Sequence, residues 1–202
     1  MPSRIAKSRK GVPKGDKRQR TRARLIEAAA LVIGEKGLER TSLEEVAARA
    51  GMTRGAFYGN FKNKEELFLA VAETRWKPIV PPQTPPGATL RERMRSLGEA
   101  VVAAVPERRA NAAGALSFYI YSLAHEDLRS RLVTMNAQIY RLAEERLLDA
   151  VPATELPMPA SRFVRVVHAV TEGVLALRCL TPELIPDDVI MAAFEALAGT
   201  RE

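Results

Sequence analysis

The residues with the most distinctive chemistry are donors and cations that have no nucleophile–base pair beside them. Thr53, Arg54, Tyr58 and Asn60 lie within eight positions of one another, interleaved with Gly55 and Gly59, and Thr41, Ser42 and Lys64 flank them. Hydroxyl, guanidinium, phenol, carboxamide and ammonium groups can donate to the oxygens of a polyanion. An arginine can also fork onto guanine O6 and N7, and an asparagine can pair with adenine. None of these groups can cleave or transfer a bond without a base or a metal. The sequence has no phosphate-cradling glycine loop and only two histidines, His125 and His168, so an α-helical enzyme is the weaker reading. His168 and Glu172 stand one helical turn apart like a metal pair, but no further His or Cys ligand accompanies them, and no metal or other cofactor is expected.

A second chemical signal is the position of the positive charge. The 202-residue chain carries a net charge of +7. From Met1 to Arg24 there are ten bases, including Arg18, Arg20 and Arg22, against the single acid Asp16, while the remainder is slightly acidic. Gly11, Pro13 and Gly15 should break any helix before about Asp16, which leaves a basic arm over residues 1–17 with no amphipathic face for a bilayer. Such an arm suits nucleic acid. The alternatives are a solvated tail, or a protein that coats DNA without regard to sequence.

Composition sets the frame around these groups. Hydrophobic residues make up 47% of the chain and charged ones 27%, enough to fill a core and wet a surface. No uncharged apolar run reaches the length of a membrane helix, and the N-terminus has no signal-peptide core. One cysteine, Cys179, excludes an internal disulfide. A soluble cytoplasmic protein without a membrane partner is expected.

The elements that must position the donors are helical throughout. Ala, Leu, Glu and Arg dominate, and apolar residues recur at helical spacing. The spacing predicts helices over about 18–36, 43–50, 53–60, 63–77, 88–105, 109–125, 127–150, 160–180 and 187–199. Ser42 with Glu45, and Asn63 with Glu66, have the spacing of capping boxes, and Thr53 can cap the helix between them. Residues 43–61 meet the steric demands of a helix-turn-helix. Ala47 is small at the crossing, Gly51 tolerates the turn, and Val46, Ala50, Met52, Phe57 and Phe61 fill the angle. That leaves Thr53, Arg54, Gly55, Tyr58, Gly59 and Asn60 outside, a surface with little bulk that suits the major groove. An ordinary helical hairpin is the alternative.

The run Thr41-Ser42-Leu43-Glu44-Glu45-Val46-Ala47-Ala48-Arg49-Ala50-Gly51 and the run Gly55-Ala56-Phe57-Tyr58-Gly59-Asn60-Phe61-Lys62-Asn63-Lys64-Glu65-Glu66-Leu67 resemble the DNA-binding domain of TetR-type bacterial transcription regulators. The resemblance covers Thr21 to Leu67. Gly59 and Asn60 depart from it, since many members carry aromatic residues or histidine there. It implies an all-α fold with a three-helix reading domain over residues 18–66 and a ligand-binding and dimerisation bundle over 67–202. Chemistry and resemblance together assign Tyr58, Lys64, Thr41, Ser42 and Thr53 to phosphates, and Arg54 to a base or else to another phosphate. Asn60 is the weaker base reader, Gly55 permits close approach, and Arg18, Arg20 and Arg22 reach phosphates or a minor groove.

One reading helix makes few contacts, so a two-fold partner is expected. The helix from Ser161 to Leu180 is apolar on most sides, with Phe163, Val167, Val170, Val174 and Leu177 around Gly173. The next helix adds Ile190, Phe194 and Leu197. These residues are expected to pair with their copies in a homodimer; a central core helix in a monomer is the alternative. Second apolar stripes with polar tips mark a small-molecule cavity expected to involve Trp76, Met94, Phe118, Tyr121, Met135, Asn136, Tyr140 and His168, although each also suits ordinary core. The helix at 63–77 would link cavity to reading head. The expected outcome is a repressor that a ligand releases from a palindromic operator.

Overall fold

The computed structural model describes residues 14–75 and 78–199, and all its regular elements there are helices. They are α1 (Lys14–Lys36), α2 (Leu43–Arg49), α3 (Arg54–Tyr58), α4 (Lys64–Arg75), α5 (Leu90–Ala124), α6 (Glu126–Ala150), α7 (Ala160–Leu180) and α8 (Asp187–Leu197), with one 3-10 turn at Ala153–Glu155. The chain divides into two compact units between Val71 and Ala72, inside α4. No helix among the described residues is long and apolar enough to cross a membrane.

Two helix boundaries differ from expectation. Helix α1 already runs at Lys14, with Gly15 in its first turn. Glycine costs most in a helix interior, whereas first-turn amides lack intrahelical partners anyway. The segments expected at 88–105 and 109–125 form one 35-residue helix, α5, with Pro106 inside it. Proline removes a single ladder bond, the Pro106 ring faces outward, and strong helix formers flank it on both sides. The start of α5 is fixed by a complete capping box: the Thr89 hydroxyl accepts the Glu92 amide at 3.2 Å, and the Glu92 carboxylate accepts the Thr89 amide at 2.8 Å.

The first unit packs α1, α2, α3 and the start of α4 around Leu25, Val32, Ile33, Val46, Phe57, Phe61, Leu67 and Phe68, all at most 2% exposed. Two ion pairs tie α2 to α1. Arg49 makes a two-pronged contact with Glu35 at 2.8 and 2.7 Å, and Lys36 pairs with Glu45. Glu45 therefore spends its carboxylate on Lys36, while only its amide completes the expected cap, at 3.2 Å from the Ser42 hydroxyl.

In the second unit Leu90, Met94, Leu97 and Val101 line one face of α5 against Phe163 and Leu175 of α7 and Ile190 and Phe194 of α8. Helices α5 and α8 approach closely at Gly98, where a Cβ would sit 3.1 Å from the Met191 sulfur and 3.3 Å from Phe194 Cβ. Phe163, Ile190 and Phe194, expected at a dimer interface, are at most 1% exposed in this core, which corrects that placement. Val167, Val170, Val174 and Leu197 pack partly against the same core. Helix α7 turns Phe163, Val164 and Leu175 toward its own chain. The outer line of α7 is left to Ala169, Gly173, Leu177 and Leu180. At Gly173 a Cβ would meet nothing within 4 Å.

Gly98→Val is expected to lower unfolding free energy by about 1–3 kcal/mol, the usual cost of overpacking. Glu99→Val, on the exposed side of the same turn, should change it far less. Urea unfolding of the two variants checks the difference.

Candidate nucleic-acid interface

The site is built on the turn between α2 and α3. Ala50 closes α2, and Gly51 takes φ +64°, a left-handed conformation that L side chains rarely adopt. The Gly51 amide donates to the Ala48 carbonyl at 2.9 Å and the Met52 amide to Ala47 at 2.8 Å, which satisfies the carbonyls at the end of α2. Arg24 of α1 adds a bond that sequence reasoning missed: its Nη2 donates to the Ala50 carbonyl at 2.7 Å. Ala47 is buried at the crossing, as a small residue there must be.

Helix α3 starts at a threonine cap, the Thr53 hydroxyl accepting the Ala56 amide at 3.3 Å. It has only five residues, so its own hydrogen bonds cannot hold it. Phe57, fully buried and 5.7 Å from the Phe61 ring, anchors it, and Tyr58 stands edge-on to Phe57 at 5.2 Å. The side facing away from that anchor carries Thr53, Arg54, Gly55, Tyr58 and Gly59, all exposed. Arg54 lies along this face, with Nη2 3.4 Å from the Tyr58 hydroxyl and Nη1 3.4 Å from the Glu44 carboxylate. The Tyr58 hydroxyl first, and Glu44 after it, push the guanidinium pKa up.

The exposed glycines on this face have no internal reason to be glycine. A Cβ on Gly55 would come no closer than 3.8 Å to the Thr53 hydroxyl, an ordinary contact, and its φ is not in the left-handed region. Gly55 lies in the first turn of α3 and Gly59 is its C-cap, positions where alanine would also fit, and together they leave this face without bulk.

Other expected contacts are placed differently. Thr41 is buried, and its hydroxyl donates to the Gly37 carbonyl at 2.7 Å, so it is not offered to a phosphate. Asn60 turns inward: its Nδ2 donates to the Ala56 carbonyl at 2.8 Å and its Oδ1 is buried, which removes it as an adenine reader in this conformation. Arg22 lies half-buried over the Phe61 ring at 4.8 Å and is part of the packing. Lys64 rests on the Phe68 ring at 5.2 Å and 3.5 Å from the Glu39 carbonyl, and desolvation lowers its pKa. Arg18, Arg20 and Ser42 are exposed. Lys17, Arg20, Thr21, Arg24 and Met52 border one open hollow, which places basic side chains of α1 beside the residue that precedes the α3 cap.

In the second unit the structure brings Tyr140 and His168 together, the phenol 2.8 Å from Nδ1. His168 Nε2 is 3.9 Å from Glu172, which accepts a bond from Tyr119 at 3.3 Å. Tyr119, half exposed and absent from the expected cavity residues, has its hydroxyl pKa pushed up to about 12, by partial desolvation first and by the Glu172 carboxylate second. Among the described residues no three His, Cys, Asp or Glu side chains converge on a metal position. Tyr121 is buried and stacks on His125 at 3.6 Å, Phe118 is buried, and Met135 and Asn136 are half-buried. Met94 belongs to the main core. Trp76 lies outside the described residues.

Residues 25–71 match the family described as bacterial regulatory proteins, tetR family. Over 56 residues the chain is 46% identical to the HTH-type transcriptional regulator TtgR of Pseudomonas putida, covering 28% of this chain and 27% of that protein. The chain thus spans about a quarter of the length of that curated relative. Among solved structures, NalD, described as the secondary repressor of the MexAB-OprM multidrug efflux pump in Pseudomonas aeruginosa, is 26% identical, with a TM-score of 0.59 over 88% of this chain and 93% of that one. A SmeT–triclosan complex is 26% identical, with a TM-score of 0.62 over 89% and 90%.

Gly55→Ala, at a site where a Cβ fits and φ is not positive, is expected to raise unfolding free energy by up to about 1 kcal/mol through the lower entropy of the unfolded chain, while weakening binding to duplex DNA. Thermal melts and DNA titrations of one preparation check the two opposite signs.

Proposed function

Residues 25–71 form a reading head of the TetR type, and on that footing we propose that this chain is a sequence-specific DNA-binding transcriptional regulator that works as a homodimeric repressor released by a small molecule. The observation that carries the DNA-binding part is the outward face of α3: Thr53, Arg54, Gly55 and Tyr58 exposed around a buried Phe57. Arg54 pairs with a base edge. Tyr58 donates to a phosphate, while Ser42, Thr53, Arg18 and Arg20 offer further backbone contacts.

The homodimer is supported by the outer line of α7. Leu177 is 50% and Leu180 64% exposed, and mid-helix Gly173 has open space in front of it. Large apolar side chains beside an uncovered glycine suit a second helix at close range, and a two-fold axis supplies an identical one. Two heads then read half-sites roughly 34–36 Å apart.

Release by a ligand is the less direct part. NalD is described as a repressor and SmeT has been seen with triclosan, and both share this fold. In this chain the paired Tyr140 and His168, with Met135 and Asn136, are the groups we assign to an effector. Phe118 and Tyr121 supply apolar surface. A ligand can shift repression only through its different affinities for the two arrangements of the heads. A sequence-indifferent DNA coat would use the same basic residues without a base-reading helix.

Selection of bound duplexes from a random pool by the purified full chain is expected to yield a palindrome; no preferred sequence would favour the coat. Arg54→Ala should relax preference at one base pair per half-site by roughly 1–3 kcal/mol, and an equal loss on every duplex would make Arg54 a phosphate anchor. Leu177→Arg should shift the sedimentation of the free protein from dimer to monomer and weaken binding to the full palindrome more than to a half-site.

A further inference from the structure

Glu44 is an acid on the surface assigned above to DNA. It sits in the first turn of α2, exposed, with its carboxylate 3.4 Å from Arg54 Nη1. The other end of the same guanidinium reaches the Tyr58 hydroxyl at 3.4 Å, and its central carbon lies 5.7 Å from the Tyr58 ring centroid. Arg54 is therefore held from two sides, along α3. First-turn acids favour a helix start, and Glu44 shares that position in α2 with Glu45, whose carboxylate is paired with Lys36. A carboxylate facing a duplex weakens binding to every sequence alike. Its contact with the arginine offered to a base is what calls for a role beyond helix capping.

We propose that Glu44 is a positioning residue for sequence discrimination. Its carboxylate holds the Arg54 guanidinium along α3 and, by occupying one edge of it, biases the arginine toward a base rather than a phosphate. This rests on α3 being the DNA-reading helix. An untethered arginine beside a duplex is drawn to phosphate oxygens, and a phosphate contact carries no sequence information. Specificity is a difference of affinities and can be gained by weakening the wrong complex. Glu44 does this by competing with phosphate oxygens for the Arg54 guanidinium, while its repulsion of the backbone lowers affinity for every duplex alike. The acid costs affinity and returns selectivity.

The size of the effect is bounded by the exposure of both partners, with side chains 65% and 60% accessible. Exposed pairs of this kind bias a side chain by no more than about fivefold.

The test uses the full chain and three duplexes. One is selected from a random pool by the wild-type protein. The second is the same duplex with a single base pair changed, at the position whose preference disappears when the selection is repeated with Arg54→Ala. The third is unrelated. Glu44→Gln is expected to bind the unrelated duplex about two- to fivefold more tightly and to lower the ratio between selected and changed duplexes by a similar factor. Glu44→Asp should recover part of that ratio. With Arg54→Ala already present, Glu44→Gln should leave the ratio unaltered. If Glu44→Gln tightens all three duplexes equally, Glu44 is a repulsive charge only and the positioning role is wrong. That role is equally wrong if the effect of Glu44→Gln on the ratio persists without Arg54. A pool that returns no preferred sequence for the wild type would overturn the DNA-reading assignment itself, together with the role of Glu44. Circular dichroism melts show that each variant is folded.

Discussion

The angle between α2 and α3 is set by the backbone of Gly51. With φ at +64° the chain turns back on itself within two residues, and the two amides after Ala50 close the end of α2. Any other common residue would be strained there. A five-residue helix has no stability of its own, so α3 takes its direction from this turn and from Phe57. Arg24, Ala47 and the ion pairs of α2 with Glu35 and Lys36 all hold that turn in place.

The second unit is held by a different principle, the division of apolar helices between an inner and an outer face. Helix α7 has apolar residues on most sides, and the chain commits Phe163 and Leu175 to its own core. Glycine, alanine and two leucines are left on the outer line. Helix α8 buries Ile190 and Phe194 while Val189 and Ala192 face out. Gly98 shows the reverse use of smallness, since it lets α5 and α8 meet inside the core.

How much of this was readable in advance depended on the range of the interaction. Caps, the glycine turn and the anchor Phe57 are short-range features, and Ser42, Thr53, Gly51 and Phe57 act where their spacing placed them. Residues assigned by charge or polarity alone fared less evenly. Arg22 lies on Phe61 and Arg24 on the Ala50 carbonyl, partners 39 and 26 positions away that no local pattern reveals. Thr41 has the position of a helix-start hydroxyl, yet it is buried and donates to the Gly37 carbonyl in the preceding turn. Asn60 looked like a base reader, yet its amide closes onto the end of α3. Pro106 was expected to separate two helices because proline is a breaker on average. Its exposure and its helix-forming neighbours override that average. For α7, periodicity identified a helix with two apolar sides but could not say which side belongs to its own chain.

The bond from Arg24 to the Ala50 carbonyl has a consequence for how a duplex would be measured. Arg24 belongs to α1, the helix that also carries Lys17, Arg18 and Arg20, and the carbonyl belongs to the turn that leads into α3. Charge-bearing rod and groove-seeking rod are thereby locked at a fixed separation. On the proposed reading, a rigid caliper of this kind fits only duplexes whose strand-to-groove spacing matches it. Stretches that are locally narrow or overwound would be disfavoured before any base edge is touched, and selectivity would extend to positions that no side chain reaches.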